Sequence, residues 1–212
     1  MKFLKFGGSS LADAPRYMRV MEISTATHQT EGAAVVLSAP KGVTNALSLL
    51  CEQAAAGEDF QPLFDKLNDT VTGIANNLNE ELDGFAHASV VDFINSHLSV
   101  LKQHLEGIKL LGVAPDNIAA GILSIGEYIS VTLFSAMLSA KGIANRVIDP
   151  VKYVLAEGDY LDSIADVSLS KARFSDVPTD GSEFLIMPGF VAANEAGEKV
   201  TLGRNGSDYS AA

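Results

Sequence analysis

Apolar and polar residues along this chain fall into blocks whose period changes from segment to segment. Lys2 to Phe6 is a short extended block that ends in Gly7-Gly8-Ser9-Ser10, and Asp13 with Pro15 then opens a helix that carries Tyr17, Val20, Met21 and Ile23 along one side. Ala33 to Leu37 is apolar without interruption, and Ser38 to Asn45 forms the turn before a helix-like segment from Ala46 to Ala56. A strand apolar at every position must be buried on both faces. Such strands, separated by helices, predict an α/β fold with a mostly parallel sheet covered by helices on both faces.

Between residues 57 and 112 the spacing becomes helical. Leu63, Phe64, Leu67, Val71, Ile74 and Leu78 recur every three or four residues, as do Ile94, Leu98, Leu101, Leu105 and Ile108. Two amphipathic helices are expected, inserted between sheet elements as a hairpin that caps or flanks the site. An apolar helix follows Ser124 and leads to a strand from Asn145 to Ile148, and the stretch from there to Asp180 reads as irregular. Phe184 to Met187 and Val200 to Leu202 read as two more strands joined through the polar turn Asn194 to Glu198.

Composition narrows the class. With 47% hydrophobic and 19% charged residues over 212 positions, the chain has enough apolar surface for a large core. Its formal charge of -11 repels nucleic acid, anionic lipid and phosphorylated substrates, so any bound anion needs a local site. Neither nucleic acid nor a membrane is an expected partner. Cys51 has no second cysteine to pair with and lies in an Ala/Leu-rich helical segment, which makes it a buried inert thiol. The N-terminal apolar stretch is too short for a secretory signal, and a cytoplasmic location is expected. Ala119 to Ala140 is the most apolar region, but Glu127 interrupts it and leaves thirteen uncharged residues, fewer than the ~20 that span a bilayer. It reads as a buried helix.

Three glycine-containing segments carry candidate chemistry and are expected to face one crevice at the C-terminal edge of the sheet. In Lys5-Phe6-Gly7-Gly8-Ser9-Ser10, two glycines allow close backbone approach, turned N–H groups and a helix start attract an anion, and Lys5 adds a full charge. That suits phosphate, although a tight strand-to-helix turn with an exposed lysine needs no ligand. Gly203-Arg204-Asn205-Gly206-Ser207-Asp208 repeats the logic with a guanidinium able to grip a carboxylate at two points. Asp208 either organises cations there or is an ordinary first-turn acid. Ser124 and Glu127 have capping-box spacing, which competes with a role for Glu127 as acceptor of a substrate ammonium group. His97 and His104 share a helical face but stand ~10 Å apart along it, too far to share a metal, and His28 and His87 sit among polar residues. No metal ligands are assigned.

Taken together, Lys5 to Ser10, Ser38 to Asn45, Ser124 to Glu127, Gly189-Phe190 and Gly203 to Ser210 resemble aspartate kinase, within the amino-acid kinase fold. Leu37-Ser38-Ala39-Pro40, Val147-Ile148-Asp149-Pro150 and Gly203 to Ala212 look most like the N-terminal part of the bifunctional aspartokinase/homoserine dehydrogenase type. The resemblance implies ATP-dependent phosphorylation of the L-aspartate β-carboxylate, with Mg2+ accompanying ATP and a homo-oligomeric assembly. It implies catalytic roles for Lys5 and Asp208, a phosphate site from Lys5, Gly7, Gly8 and Ser9, and an aspartate site from Ser38, Thr44, Asn45, Glu127, Phe190, Arg204 and Ser207. It also favours the ammonium-acceptor role of Glu127 over the capping box. On this reading residues 1–212 are the amino-acid-binding N-terminal lobe of the catalytic domain, truncated where a nucleotide-binding lobe should follow, and 57–112 is the helical insertion. Such a piece alone is expected to have little or no kinase turnover. The rival functions are another amino-acid kinase, acting on glutamate or acetylglutamate, and a noncatalytic amino-acid-binding or oligomerising unit.

Overall fold

Lys2–Phe6 (β1) pairs in parallel with Ala33–Leu37 (β2), β2 with Phe184–Pro188 (β6), and β6 with Asn145–Val147 (β3), giving a sheet in the order β1-β2-β6-β3. The structure is a computed structural model that describes residues 1–178, 180–203 and 206–211, and of Tyr209 the backbone alone. Alternation along β2 explains why all five of its residues are buried. Ala33, Val35 and Leu37 join the large core beneath the helices, whereas Ala34 packs with Ile148, Val177 and Leu185 on the opposite face.

The helical face is built by Ala14–Glu31 (α1), which follows β1, and by five helices between β2 and β3: Val43–Ala55 (α2), Gln61–Glu81 (α3), His87–Leu111 (α4), Asp116–Leu123 (α5) and Ile125–Ala140 (α6). Asp13 caps α1 by accepting from the Arg16 N–H at 3.1 Å, and Gly32, at φ 72°, ends it. The inward face of α1 is Tyr17, Val20, Met21 and Ser24, while Ile23 is 40% exposed, since its position lies off the stripe spaced by three and four residues. α5 and α6 run on through Ser124. Together they are long and apolar enough to cross a membrane, but most of their most apolar stretch is buried within this domain, and α6 packs on β6, β3 and β2.

Every periodic residue expected inside α4 is buried, and α3 buries Leu67, Val71, Ile74 and Leu78, with Leu63 and Phe64 partly covered. These two helices pack on α2 and α6, and their core is continuous with that of the sheet. Their side chains enter none of the hydrogen bonds or ion pairs described below.

Three expectations are corrected. α2 begins at Val43, which places Thr44 and Asn45 in its first turn. The stretch read as irregular contains Pro150–Tyr153 (α7), the hairpin Ala156–Asp159 (β4) with Asp162–Ala165 (β5), and Val167–Arg173 (α8), elements too short to show a period in the sequence. The polar turn 194–198 joins Val191–Ala193 (β7) to Lys199–Thr201 (β8), and β6 belongs to the parallel sheet. The break between β6 and β7 falls at Gly189-Phe190, where Phe190 has φ 69°, a left-handed conformation that ends the strand.

Candidate functional site

The loops after β1, β2 and β6 emerge side by side at one edge of the sheet. The Ser38 N–H donates to the Phe6 carbonyl at 3.1 Å and the Gly189 N–H to the Leu37 carbonyl at 2.9 Å, which locks the loop starts in a stagger. The short helix Gly206–Tyr209 (α9) reaches this edge although it follows β8, which lies outside the parallel sheet. It brings Asp208 Oδ1 to 2.7 Å from Lys5 Nζ and Ser207 Oγ to 3.1 Å from Ser38 Oγ. Glycine makes this approach possible: a side chain on Gly189 would stand 2.7 Å from Ser207, and one on Gly206 would stand 2.7 Å from Leu202 Cβ. The Phe190 N–H donates to Ser210 Oγ at 3.2 Å, tying the strained residue to the end of the same turn. A left-handed phenylalanine costs about 1–2 kcal/mol, which such ties offset.

Lys5 and Asp208 are partly open to water, so their pairing adds at most about 1 kcal/mol to stability. Its consequence is electrostatic: Asp208 holds the ammonium in place and balances its charge. A side chain on Gly7 would stand 3.8 Å from Lys5 Nζ, so its absence leaves open the space beside that ammonium. Gly8 opens the 3-10 turn Gly8–Leu11, which includes Ser9. An open backbone turn beside a held cation has the chemistry a nucleotide phosphate requires.

Glu127 lies in the first turn of α6 and is 3% exposed. Burial pushes its carboxyl up to about 8, and the Ala39 backbone N–H, which favours the ionised form, offsets only part of that rise. Oε2 has no hydrogen-bond partner among the described residues. The capping box is not formed, because Ser124 continues the helix and its hydroxyl donates to the Gly121 carbonyl at 2.8 Å. A buried carboxylate oxygen without a donor is costly in a stable fold, and an ammonium ligand would supply what it lacks.

The surroundings hold this helix start firmly. Gly126 is pressed on the β2–α2 loop, where an added side chain would meet Ala39 Cβ at 2.5 Å and Val43 Cγ1 at 2.8 Å. Tyr17 and Ser130 share a fully buried hydrogen bond of 2.8 Å close enough to Glu127 for its charge to raise the phenol pKa further. On the other side the Tyr128 hydroxyl donates to Asp149 Oδ1 at 2.9 Å, and Lys199 Nζ lies 4.4 Å from the Tyr128 ring centroid. Tyr128→Phe is expected to cost about 1 kcal/mol, read as a lower midpoint in urea with an unchanged slope. An unshifted midpoint would mean that this bond ties nothing down.

Of the residues singled out in the sequence, Lys5, Gly7, Gly8, Ser9, Ser38, Phe190, Ser207 and Asp208 are at or next to this edge. Glu127 stands behind the Ala39 turn, and Thr44 and Asn45 begin the neighbouring helix α2. Arg204 lies outside the described residues. Sequence reasoning missed the part played by Gly126, Tyr17 and Ser130. A glycine beside the only acid of an apolar helix was the one available signal, and it said nothing of the partner.

The model of the amino acid kinase family matches residues 1–212. The chain belongs to that family. Among curated members, it is 39% identical over 213 residues to the bifunctional aspartokinase/homoserine dehydrogenase of Buchnera aphidicola subsp. Acyrthosiphon pisum and 37% identical over 212 residues to that of Haemophilus influenzae. In both cases 100% of this chain and 26% of the relative are covered, so the chain spans about a quarter of their length. An aspartokinase of Chlamydia pneumoniae is 31% identical over 207 residues, covering 98% of this chain and 42% of that protein. The fold matches E. coli aspartokinase III, solved with aspartate and ADP, at a TM-score of 0.85 and 24% identity over 99% of this chain and 45% of that one. The parallel sheet flanked by helices is thus the fold of an aspartokinase-type amino acid kinase domain.

Proposed function

We propose that this edge binds L-aspartate and the phosphates of ATP, and that the chain is the amino-acid-binding part of an aspartate kinase acting in the cytoplasm. The observation that carries the reading is Glu127: a buried carboxyl group with one oxygen that has no partner among the described residues, behind the Ala39 turn at the edge where Asp208 holds Lys5. In this reading Glu127 accepts the substrate ammonium and Arg204 grips the α-carboxylate. Ser38, Thr44, Asn45, Phe190 and Ser207 shape the pocket, and the turn Gly7-Gly8-Ser9 receives the phosphates.

The chemistry asks little of a general base, because a β-carboxylate with a reference pKa of ~3.9 is already ionised at neutral pH. What it needs is two anions held together, so positioning and charge neutralisation carry the rate. ATP supplies the γ-phosphoryl group and its Mg2+ neutralises phosphate charge. Lys5, oriented by Asp208, would stabilise charge on the transferring group.

Calorimetric titration with L-aspartate, L-glutamate and MgATP tests the reading. Saturable aspartate binding with glutamate at least tenfold weaker is expected; equal affinities would favour another amino-acid kinase. Any aspartate-dependent transfer, trapped as the hydroxamate, should fall about 10²- to 10³-fold in Lys5→Ala with little loss of stability. An unchanged rate constant would remove Lys5 from the mechanism. Aspartate binding without transfer is the result expected of the amino-acid-binding part by itself, and no saturable aspartate binding would overturn the reading.

A further inference from the structure

The phosphate turn does not stand alone. The place a side chain on Gly8 would take lies 2.8 Å from the Ala39 carbonyl oxygen and 3.4 Å from both the N and Cα of Lys41. The β2–α2 loop is therefore laid directly on the glycine turn, with the exposed Lys41 at the contact. The charged side chains placed around the meeting loops include Lys5, Lys41, Glu127 and Asp208, and the Asp162 carboxylate lies against Gly203. Lys5 is ion-paired with Asp208 at 2.7 Å, whereas Lys41 has no carboxylate within 4 Å among the described residues.

That inventory poses a problem for a polyanion. A chain of net charge -11 repels it at long range, and the cation nearest the turn already has its charge balanced. A triphosphate entering this edge needs a cation not committed to a carboxylate, attached where a flexible four-carbon stem can bring it over the turn. Lys41 meets both conditions. Its ammonium is also exposed, so reaching toward a phosphate breaks no existing contact.

We infer that Lys41 is a second phosphate-binding cation of this site, closing on the polyphosphate from the β2–α2 loop while Lys5 is held by Asp208 on the other side. The inference rests on the phosphate-binding half of the proposed function and is independent of the aspartate half. It gives the β2–α2 loop two tasks: Ala39 faces Glu127 and the amino-acid side, and Lys41 faces the nucleotide side.

The test is titration of the wild-type chain, Lys41→Gln and Lys41→Arg with Mg-tripolyphosphate and, separately, with L-aspartate, at low and moderate salt. Loss of one charge-assisted contact should weaken tripolyphosphate binding about tenfold in Lys41→Gln, with a shallower salt dependence, while Lys41→Arg keeps most of the affinity. All three proteins should bind aspartate equally and melt alike. Equal tripolyphosphate affinity in wild type and Lys41→Gln, or no tripolyphosphate binding by wild type, overturns the inference, and in either case intact aspartate binding leaves the amino-acid site standing. Lys41-dependent tripolyphosphate binding without aspartate binding supports the inference and sinks the aspartate reading.

Discussion

Glu127→Gln is expected to weaken aspartate binding by about 100-fold or more at pH 8 while leaving the fold intact, because a neutral amide cannot balance a buried ammonium charge. The pH dependence gives a sharper signature. The carboxyl is raised to about 8 in the folded protein from an ordinary value of 4.5, so between those values the folded state holds a proton that the unfolded state has released. Stability is therefore highest below about pH 4.5 as far as this group is concerned, and falls as pH rises toward 8. The full cost of the buried charge is on the order of 5 kcal/mol. Glu127→Gln should abolish that decline, giving a flatter profile of unfolding free energy against pH in urea titrations. Aspartate affinity of the wild type should rise over the same window, since the ammonium favours the ionised carboxylate and binding releases a proton. Calorimetry in buffers of different ionisation enthalpy reads that proton directly. A pH-independent affinity together with an unshifted Glu127→Gln protein would return Glu127 to a purely structural part.

Gly126→Ala should be the most damaging single methyl in the chain's functional half. The new Cβ would meet Ala39 Cβ at 2.5 Å and Val43 Cγ1 at 2.8 Å, and both belong to the loop that carries Ser38 and leads into α2. Either α6 shifts outward or the loop does, and overpacking of this kind costs about 1–3 kcal/mol. Whichever moves, the Ala39 N–H leaves Glu127 and Ser38 is displaced from Ser207. The expected result is a lower melting temperature together with aspartate affinity reduced at least tenfold. Gly73→Ala serves as the control, because a side chain there, also in a helix, meets nothing within 4 Å. Equal behaviour of the two variants would show that the helix start and the loop are not in register.

Much of the architecture was legible because local pattern and tertiary demand agree. β2 is apolar throughout and is buried throughout, and α4 buries every residue whose spacing marked it. Where agreement failed, elements were short or a backbone special intervened. Val200 to Leu202 reads as the partner of Phe184 to Met187, but the left-handed Phe190 breaks the chain and sends β6 into the parallel sheet and β8 into a separate hairpin. α2 begins three residues early because Val43, Thr44 and Asn45 carry weak helix propensity that the packing of Val43 overrides.

By itself, the sequence determined which residues could do chemistry: Lys5 beside two glycines, Glu127 alone in an apolar helix, and Ser207 and Asp208 after a glycine. It also determined that they belong to an α/β chain with a parallel sheet, since uninterrupted apolar strands cannot be satisfied with one face in water. Only the tertiary structure showed that Ser124 and Glu127 do not form the capping box their spacing allows, because that depends on where Ser124 Oγ points and on whether water reaches the carboxyl group. Only it brought Asp208 to Lys5 across two hundred residues of chain and laid Lys41 on Gly8. Those contacts are set by how strands of distant sequence line up at one sheet edge, and no local preference of the residues encodes that alignment.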